Sequence, residues 1–275
     1  MEINKILKEG QEILKKANID IKEARLLLSL AMNISLTDLI SKKECTEYEY
    51  KLFLEYVSKR ANHTPFAYIS NKKEFMKLNF VVNENVLIPR EDTEILVQNV
   101  IQYANTLNKD NIKILDLCTG SGAIAISFAK YINNVNVVAS DISELALNVA
   151  KENAIINDVK VTFIHSDLFK DIALQKFDII VSNPPYIKKN DLDNLQEEVK
   201  KEPQLALDGG EDGLDYYRII INHSKEYLEC NGLLALEIGF DEAEDIKKLM
   251  QDNSYKNIEI IKDLSNNDRV VLGKV

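Results

Sequence analysis

With 275 residues, of which 45% are hydrophobic and 28% charged, the chain has the composition of a globular protein with room for one large domain and a smaller one. Acidic residues outnumber basic ones by 44 to 34, and the resulting net charge of −10 disfavours nucleic acid as a partner. No stretch approaches the roughly 18 apolar residues of a membrane-spanning helix. Cys45, Cys118 and Cys230 are too few and too scattered for a disulfide framework or a metal site, which favours the cytoplasm.

Residues 1–64 are predicted to form a small helical domain. Apolar residues recur at helical spacing over residues 3–14, and Asp20 is a suitable N-cap for a helix over residues 21–32. Thr46 and Glu49 have the spacing of a capping box at the start of a third helix. Because such helices are too short and amphipathic to stand alone, we expect them to pack as a bundle.

Residues 65–87 are predicted to be a β-hairpin that links two domains. Residues 66–69 and 75–82 alternate between apolar and polar side chains, as strands do, and residues 71–73 have the composition of a turn.

The remaining residues, 88–275, alternate between helix and strand. This alternation predicts an α/β domain with a mostly parallel sheet covered on both faces. We expect residues 268–272 to be the final edge strand. The predicted helices cover residues 95–103, 123–131, 144–156, 216–228 and 242–250, and the predicted strands cover residues 113–116, 135–140, 160–164, 177–181 and 233–238, with two more near Ile258 and Val270.

A glycine-containing loop follows the first predicted strand of this domain. Gly120 and Gly122 allow the backbone to approach a ligand where the next helix offers unpaired N–H groups. Asp141 ends the following strand, where a carboxylate can accept both hydroxyls of a ribose. The dinucleotide pattern G-x-G-x-x-G is filled poorly, because Cys118 stands where its leading glycine is expected.

Residues 116–122 resemble motif I of the S-adenosylmethionine-dependent methyltransferases, acidic-x-G-x-G-x-G, with Cys118 in place of the first glycine. The resemblance implies a seven-stranded, Rossmann-like class I domain that binds S-adenosylmethionine and releases S-adenosylhomocysteine. It also implies that Asp167 and Leu168 contact the adenine. The implied cofactor-binding residues are Cys118, Thr119, Gly120, Ser121, Gly122, Asp141, Leu168 and Asn183.

The sequence Asn183-Pro184-Pro185-Tyr186 lies at the carboxyl end of a predicted buried strand. Two prolines make a stiff, extended segment whose carbonyls are not consumed by a helix. The Asn183 side-chain oxygen and the Pro184 carbonyl can accept the two N–H bonds of one planar group, on which Tyr186 can stack. These residues, with Pro185, are the predicted catalytic and substrate-binding set. The motif alone leaves the acceptor open between an amide and the amino group of a base.

Four further segments resemble the protein-(glutamine-N5) methyltransferases of peptide-chain release factors, the PrmC/HemK family. They are residues 86–94, 198–218, 237–239 and 263–269. Ala67 and Ser70 depart from the family pattern, at positions remote from the reaction. The resemblance implies that the acceptor is the glutamine of the release factor's Gly-Gly-Gln loop, that Asn183 and Pro184 grip its amide, and that the N-terminal helices help dock the release factor.

Three other functions share some of these sequence features. An adenine-N6 methyltransferase of DNA or RNA would carry the same Asn183 motif, but the acidic charge disfavours it. The others are a binding module without catalysis and a nicotinamide-dependent dehydrogenase, which Cys118 disfavours. We expect a monomer with no metal, no membrane association and no direct nucleic-acid partner. Arg90 is expected either to pair with Glu94 or to contact the ligand. The charged residues Glu197, Glu198, Lys200 and Lys201 are expected to form a solvated helix face.

Overall fold

The computed structural model describes all 275 residues, which form two compact units. The first unit comprises residues 1–71 together with 196–201, and the second comprises residues 72–195 and 202–275. No helix combines the length and the apolar character that crossing a membrane would require.

The first unit is a bundle of helices, as the sequence predicts. Thr46 caps its longest helix: Thr46 Oγ1 accepts a hydrogen bond from the Glu49 backbone N–H at 3.2 Å, and Glu49 Oε2 accepts one from the Thr46 N–H at 2.6 Å. This reciprocal pair is the predicted capping box. The helices are α1 (Ile3–Lys16), α2 (Glu23–Met32), α3 (Leu36–Ser41), α4 (Glu47–Ala61) and α5 (Phe66–Ser70).

Helix α5 lies where the sequence predicts a strand, so that prediction is wrong. The Pro65 carbonyl accepts hydrogen bonds from the N–H groups of Tyr68 and Ile69, which closes one helical turn. Ile69 is buried in the apolar core of the bundle, and Asn71 ends the turn with a left-handed φ of 52°. A single turn is too short for its apolar spacing to differ reliably from the alternation of a strand.

Arg60 of α4 is a buried cation in the same unit, with 4% of its surface exposed. Its guanidinium pairs with Glu23 and with Glu198, each at 2.5 Å. The sequence predicts a solvated helix face here. Glu198 is instead held in this ion pair, with 40% of its side chain exposed, and only residues Val199–Lys201 form a short 3-10 turn. A buried guanidinium requires such partners because an unpaired charge would be expensive to desolvate.

The second unit begins with a short antiparallel hairpin of strands β1 (Lys73–Phe75) and β2 (Leu78–Phe80). Phe75 and Phe80 are fully buried in the main core of the unit, where their rings meet edge to face at 6.1 Å. Such contacts fix the hairpin to the α/β domain that follows it.

The rest of the second unit is the predicted α/β domain, built on one seven-stranded sheet. Its strand order is β5-β4-β3-β6-β7-β9-β8, in which β9 runs in the direction opposite to that of the other six strands. The elements are α6 (Glu91–Ala104), β3 (Ile112–Leu117), α7 (Ala123–Tyr131), β4 (Val135–Asp141), α8 (Glu144–Ile156), β5 (Thr162–His165), β6 (Phe177–Ser182), α9 (Asp215–Tyr227), β7 (Leu228–Glu237), α10 (Ala243–Asp252), β8 (Lys256–Lys262) and β9 (Asp268–Lys274).

Strand β9 is not the edge strand that the sequence predicts, because it lies between β7 and β8. Val270 packs into the core on one face of the sheet and Val271 into the core on the other. The same alternation runs through β3, where Ile114 and Leu115 face opposite cores. Strands buried on both faces have continuous apolar sequences, and each buried side chain of this size contributes about 1.5–3 kcal/mol.

The sheet topology brings the strand ends that matter for function to one edge. Strand order reverses between β3 and β6, so the connections after them leave in opposite directions and open a crevice. Leu117, at the end of β3, is in register with both Ser140 of β4 and Ser182 of β6. Ser182 is in turn in register with Leu236 of β7. The residues that follow these positions therefore share this crevice.

Candidate active site

A cavity lies in the crevice, and it is lined by most of the predicted cofactor and acceptor residues. The empty space between its walls is about 760 Å³, part of it open to solvent. Because the lining residues come from loops after four different parallel strands, only the folded sheet assembles them. The predicted residues that line it are Cys118, Gly120, Asp141, Leu168, Asn183 and Pro185.

The loop after β3 turns sharply through left-handed backbone conformations. The φ angles are +59° at Cys118, +55° at Gly120 and +80° at Gly122. Cys118 thus adopts, with a side chain, a conformation that glycine adopts without strain. Burial raises the pKa of the Cys118 thiol well above its usual value, so the thiol stays protonated at neutral pH.

Asp141 connects this loop to the end of β4. One of its carboxylate oxygens accepts the Gly120 N–H at 2.8 Å, and the other accepts the Ser143 N–H at 2.9 Å. Burial raises the pKa of Asp141. Each oxygen can accept a further hydrogen bond, so the carboxylate can hold two hydroxyls of a ligand while it keeps the loop in place.

Three predicted cofactor residues do not line the cavity but shape the turn. The Thr119 hydroxyl donates to Asp116 Oδ2 at 2.6 Å, and the Ser121 carbonyl accepts from Asn153 Nδ2 at 2.9 Å. Gly122 has a φ of +80°, and a Cβ there would lie 3.3 Å from the Cα of Ala150, so glycine is favoured at this turn.

Leu168 forms an apolar part of the cavity wall after β5. It adopts a left-handed φ of +51°, and Ser166 holds that turn by donating its hydroxyl proton to the Leu168 carbonyl at 2.8 Å. Asp167 also lines the cavity and pairs with Lys170 at 2.5 Å. The wall therefore offers a flat apolar surface with a carboxylate beside it.

The segment from Asn183 to Tyr186 leaves β6 as an extended stub, with both prolines buried. Asn183 and Pro185 line the cavity, whereas Pro184 and Tyr186 do not. The Tyr186 ring instead packs against the core under α9, where burial raises the pKa of its hydroxyl well above the usual value. The sequence predicts that Tyr186 stacks on the planar group held by Asn183, and that role stays a prediction.

A second segment, residues 207–209, packs against the backbone of Tyr186 and Ile187. Ile187 donates its N–H to the Leu207 carbonyl, and Gly209 donates its N–H to the Ile187 carbonyl, each at 2.9 Å. A Cβ at Gly209 would lie 2.7 Å from Tyr186 Cα, a distance that real side chains do not adopt. Gly209 therefore allows two stretches of backbone to touch next to the site.

Several cavity residues were not predicted as site residues from the sequence. Two segments supply most of them, and an ion pair joins the segments: Glu202 pairs with Arg90 and accepts the Ile88 N–H at 3.0 Å. Arg90 does not pair with Glu94, which instead accepts the Met76 N–H at 2.6 Å. The feature of the sequence that could have identified these residues is the resemblance of both segments to the protein-(glutamine-N5) methyltransferases. The unpredicted residues are Asn85, Val86, Leu87, Ile142, Ser143, Ala146, Ser166, Pro203, Leu205, Ala206 and Tyr216.

Comparison with known proteins defines the class. Two family models match the chain: a methyltransferase small domain over residues 91–256, and a PrmC N-terminal domain over residues 5–70. The T. thermophilus 16S rRNA N2 G1207 methyltransferase, solved in complex with AdoMet and guanosine, aligns over 74% of this chain and 49% of its own. The TM-score is 0.54 at 15% identity, which shows a shared fold. By fold and family the chain is an S-adenosylmethionine-dependent methyltransferase of class I.

Two relatives narrow this class. The release factor glutamine methyltransferase of Clostridium acetobutylicum is 42% identical over 99% of this chain and 98% of its own length. The bifunctional methyltransferase of Rickettsia typhi is 40% identical over 98% of this chain, which spans 56% of that longer protein. The chain belongs to the release factor glutamine methyltransferase family.

Proposed function

We propose that this protein transfers a methyl group from S-adenosylmethionine to the side-chain amide nitrogen of the glutamine in the Gly-Gly-Gln loop of release factors. One observation carries the proposal: Asn183 lines the same cavity as Cys118, Gly120 and Asp141. A donor bound at the loop after β3 and an acceptor held at the end of β6 would then meet in one enclosed space.

The residues of the cavity fit S-adenosylmethionine. The Asp141 carboxylate has acceptor capacity for the two ribose hydroxyls, and Leu168 offers an apolar surface to the adenine. No atom lies within 4 Å of the point where a Cβ at Gly120 would stand, so the loop backbone is accessible to the ligand there. S-adenosylmethionine, when bound, supplies an electrophilic methyl group on its sulfonium.

The chain's own contribution is to orient a weak nucleophile. An amide nitrogen shares its lone pair with the carbonyl, so it reacts only when the lone pair is turned toward the methyl group. Hydrogen bonds from the amide to Asn183 Oδ1 and to the Pro184 carbonyl would fix that orientation and stabilise the positive charge that builds on nitrogen. The nitrogen gains the methyl group and afterwards loses one proton to water, so no strong base is required.

The partner and the setting follow from this reaction. The N-terminal helices would contribute to docking the release factor, which is a protein substrate, with no nucleic acid bound directly. Three free cysteines agree with the reducing cytoplasm, where release factors act.

Labelled S-adenosylmethionine tests the proposal. The protein is incubated with a release factor whose loop glutamine is intact or changed to glutamate, and label is located by mass spectrometry of the loop peptide. We expect one methyl group on the intact glutamine and none on the variant. Equal labelling of both factors would contradict the proposal, and transfer to adenine in DNA or RNA would establish the alternative activity.

A further inference from the structure

Next to Asn183 lies a buried polar group that does not line the cavity and that the reaction described above does not use. Glu237 ends β7 next to Asn183, because Ser182 and Leu236 are in register. Thr93 lies in the first turn of α6. Glu237 is 1% exposed and Thr93 4% exposed, and Asn183 Nδ2 donates to Thr93 Oγ1 at 3.4 Å.

Glu237 is not part of a structural ion pair. The nearest guanidinium, that of Arg269, binds Asp263 at 3.2 Å and Asp92 at 3.4 Å. Neither carboxylate oxygen of Glu237 has a hydrogen-bond partner of ordinary length and angle. Burial raises the pKa of Glu237 to about 7, against the lowering effects of Thr93, Arg269 and Asn183. A buried carboxyl without partners is costly, and its retention at this position requires a reason.

The orientation of the Asn183 carboxamide gives that reason. A carboxamide can rotate by half a turn, which exchanges its oxygen with its NH2 group. Only one orientation presents Oδ1 to the N–H bonds of an acceptor amide, and it turns Nδ2 inward. Beside it stand Thr93 Oγ1, which accepts from Nδ2, and the Glu237 carboxyl. When ionised, Glu237 repels Oδ1 and attracts the Thr93 hydroxyl proton, which leaves a lone pair of Thr93 Oγ1 for Nδ2. Together the two groups disfavour the reversed orientation.

We propose that Glu237, together with Thr93, is a positioning residue that holds the Asn183 carboxamide with its oxygen toward the acceptor nitrogen. This inference deepens the proposed function and rests on it. It follows that the pair also sets the preference for a carboxamide over a carboxylate, because an outward-facing oxygen attracts N–H bonds and repels carboxylate oxygens.

Four variants of the full-length protein test the inference. Thr93→Val removes the hydroxyl acceptor, Thr93→Ser keeps it, and Glu237→Gln supplies an NH2 group that can bond a reversed Asn183. The matched control is Glu242→Gln, a second buried glutamate beyond the end of β7 that bonds the Gly239 N–H instead. The measurements are kcat and KM for release factor, the Kd for S-adenosylmethionine by calorimetry, and the thermal midpoint.

We expect Thr93→Val and Glu237→Gln to lower kcat at least tenfold while the cofactor Kd changes less than twofold. Thr93→Ser should restore kcat to within about threefold of wild type, and Glu242→Gln should stay within twofold. Unchanged kcat in Thr93→Val, or no difference between Thr93→Val and Thr93→Ser, would overturn the inference. The threonine pair decides the question if Glu237→Gln does not fold.

A readout without substrate separates this inference from the proposed function. The side-chain NH2 protons of Asn183, followed by NMR, should exchange slowly with solvent in the wild-type protein and faster in Thr93→Val. If wild-type protein does not methylate the loop glutamine, the proposed function fails, while the exchange experiment still tests the orientation of Asn183. Equal exchange in both proteins would refute the positioning role.

Discussion

Gly209 packs directly against the backbone of Tyr186, so closely that a Cβ at position 209 would lie 2.7 Å from Tyr186 Cα and 2.8 Å from its carbonyl carbon. The atoms that would have to move are backbone atoms three residues from Asn183. The hydrogen bonds of Ile187 with Leu207 and Gly209 join the extended segment after β6 to the segment around Gly209. The extended segment therefore has little freedom to adapt.

Gly209→Ala should therefore impair catalysis by displacing the extended segment of residues 183–186. A shift of about 1 Å in a positioning group lowers rates by about a hundredfold, and we expect a loss of kcat of at least tenfold. The matched control is Gly273→Ala in β9, whose Cβ would meet only side-chain atoms of Met250 and Tyr255. Steady-state kinetics with release factor, beside circular dichroism of both variants, measures the effect. A Gly209→Ala protein with full kcat would show that the stub adapts.

Asp141→Asn should weaken cofactor binding. Asparagine offers one oxygen where the carboxylate uses two, so either Gly120 or Ser143 loses its acceptor. Hydrogen bonds to a charged group contribute about 1.5–3 kcal/mol, so we expect the Kd for S-adenosylmethionine to rise about tenfold or more. Glu144→Gln is the control, since Glu144 is close in sequence and its side chain is 78% exposed. Calorimetry decides, and equal Kd values for Asp141→Asn and wild type would contradict the role of Asp141.

Stability should fall as the pH rises from about 5 to 8. Burial raises the pKa values of Asp116, Glu237 and Glu242 to about 7, above the values of unfolded carboxyls. The folded state therefore holds these protons more tightly. The stabilisation from these carboxyl groups is complete below the pKa that they have in the unfolded chain. It is lost as the pH rises through the higher pKa that they have in the folded protein. The linkage amounts to a few kcal/mol for a fully buried group.

Urea unfolding at pH 5.5 and pH 8 measures this dependence. We expect a smaller free energy of unfolding at pH 8, and a smaller difference between the two pH values in Glu242→Gln. Glu244→Gln, whose side chain is 82% exposed, should behave as the wild type does. A free energy of unfolding that increases toward pH 8 would contradict the assignment.

Much of the fold was predictable because this parallel sheet is buried on both faces. Apolar runs such as residues 177–181 mark the inner strands directly, and helices α7 and α8 begin and end at the predicted residues. The order of the last two strands was not predictable, since both consist of residues that favour strands. Nothing in their sequence shows which of the two lies inside the sheet and which lies at its edge. The single turn of α5 was missed because the Pro65 carbonyl and the burial of Ile69, rather than periodicity, determine it.

The candidate site was also predictable only in part. Asn183, Asp141 and Cys118 line one cavity, and the sequence indicated their proximity because they end or directly follow strands, where ligands of parallel sheets bind. The position of Thr93 and Glu237 beside Asn183 was not predicted, since only the register of β6 and β7 and the packing of α6 bring them there. The stacking role of Tyr186 stays a prediction: the residue packs against an apolar core and does not line the cavity, which the pattern alone does not show.

Arg90 and Glu202 should be strongly coupled in a double-mutant cycle. The Glu202 side chain is 2% exposed, and it holds both the Arg90 guanidinium and the Ile88 N–H, next to two segments of the cavity wall. Arg90→Ala leaves a buried carboxylate without its cation, whereas the double variant with Glu202→Ala removes that charge as well. Because the Arg90 side chain is partly exposed, solvent weakens its ion pair with Glu202. We expect a coupling energy of about 1–2 kcal/mol from urea unfolding of the four proteins.

The control is the surface ion pair of Lys51 and Glu47, whose side chains are 71% and 76% exposed. Their coupling energy should be less than about 0.5 kcal/mol. If the Arg90 and Glu202 effects simply add, the ion pair does not hold these walls together, because each residue would then stabilise the fold through other contacts.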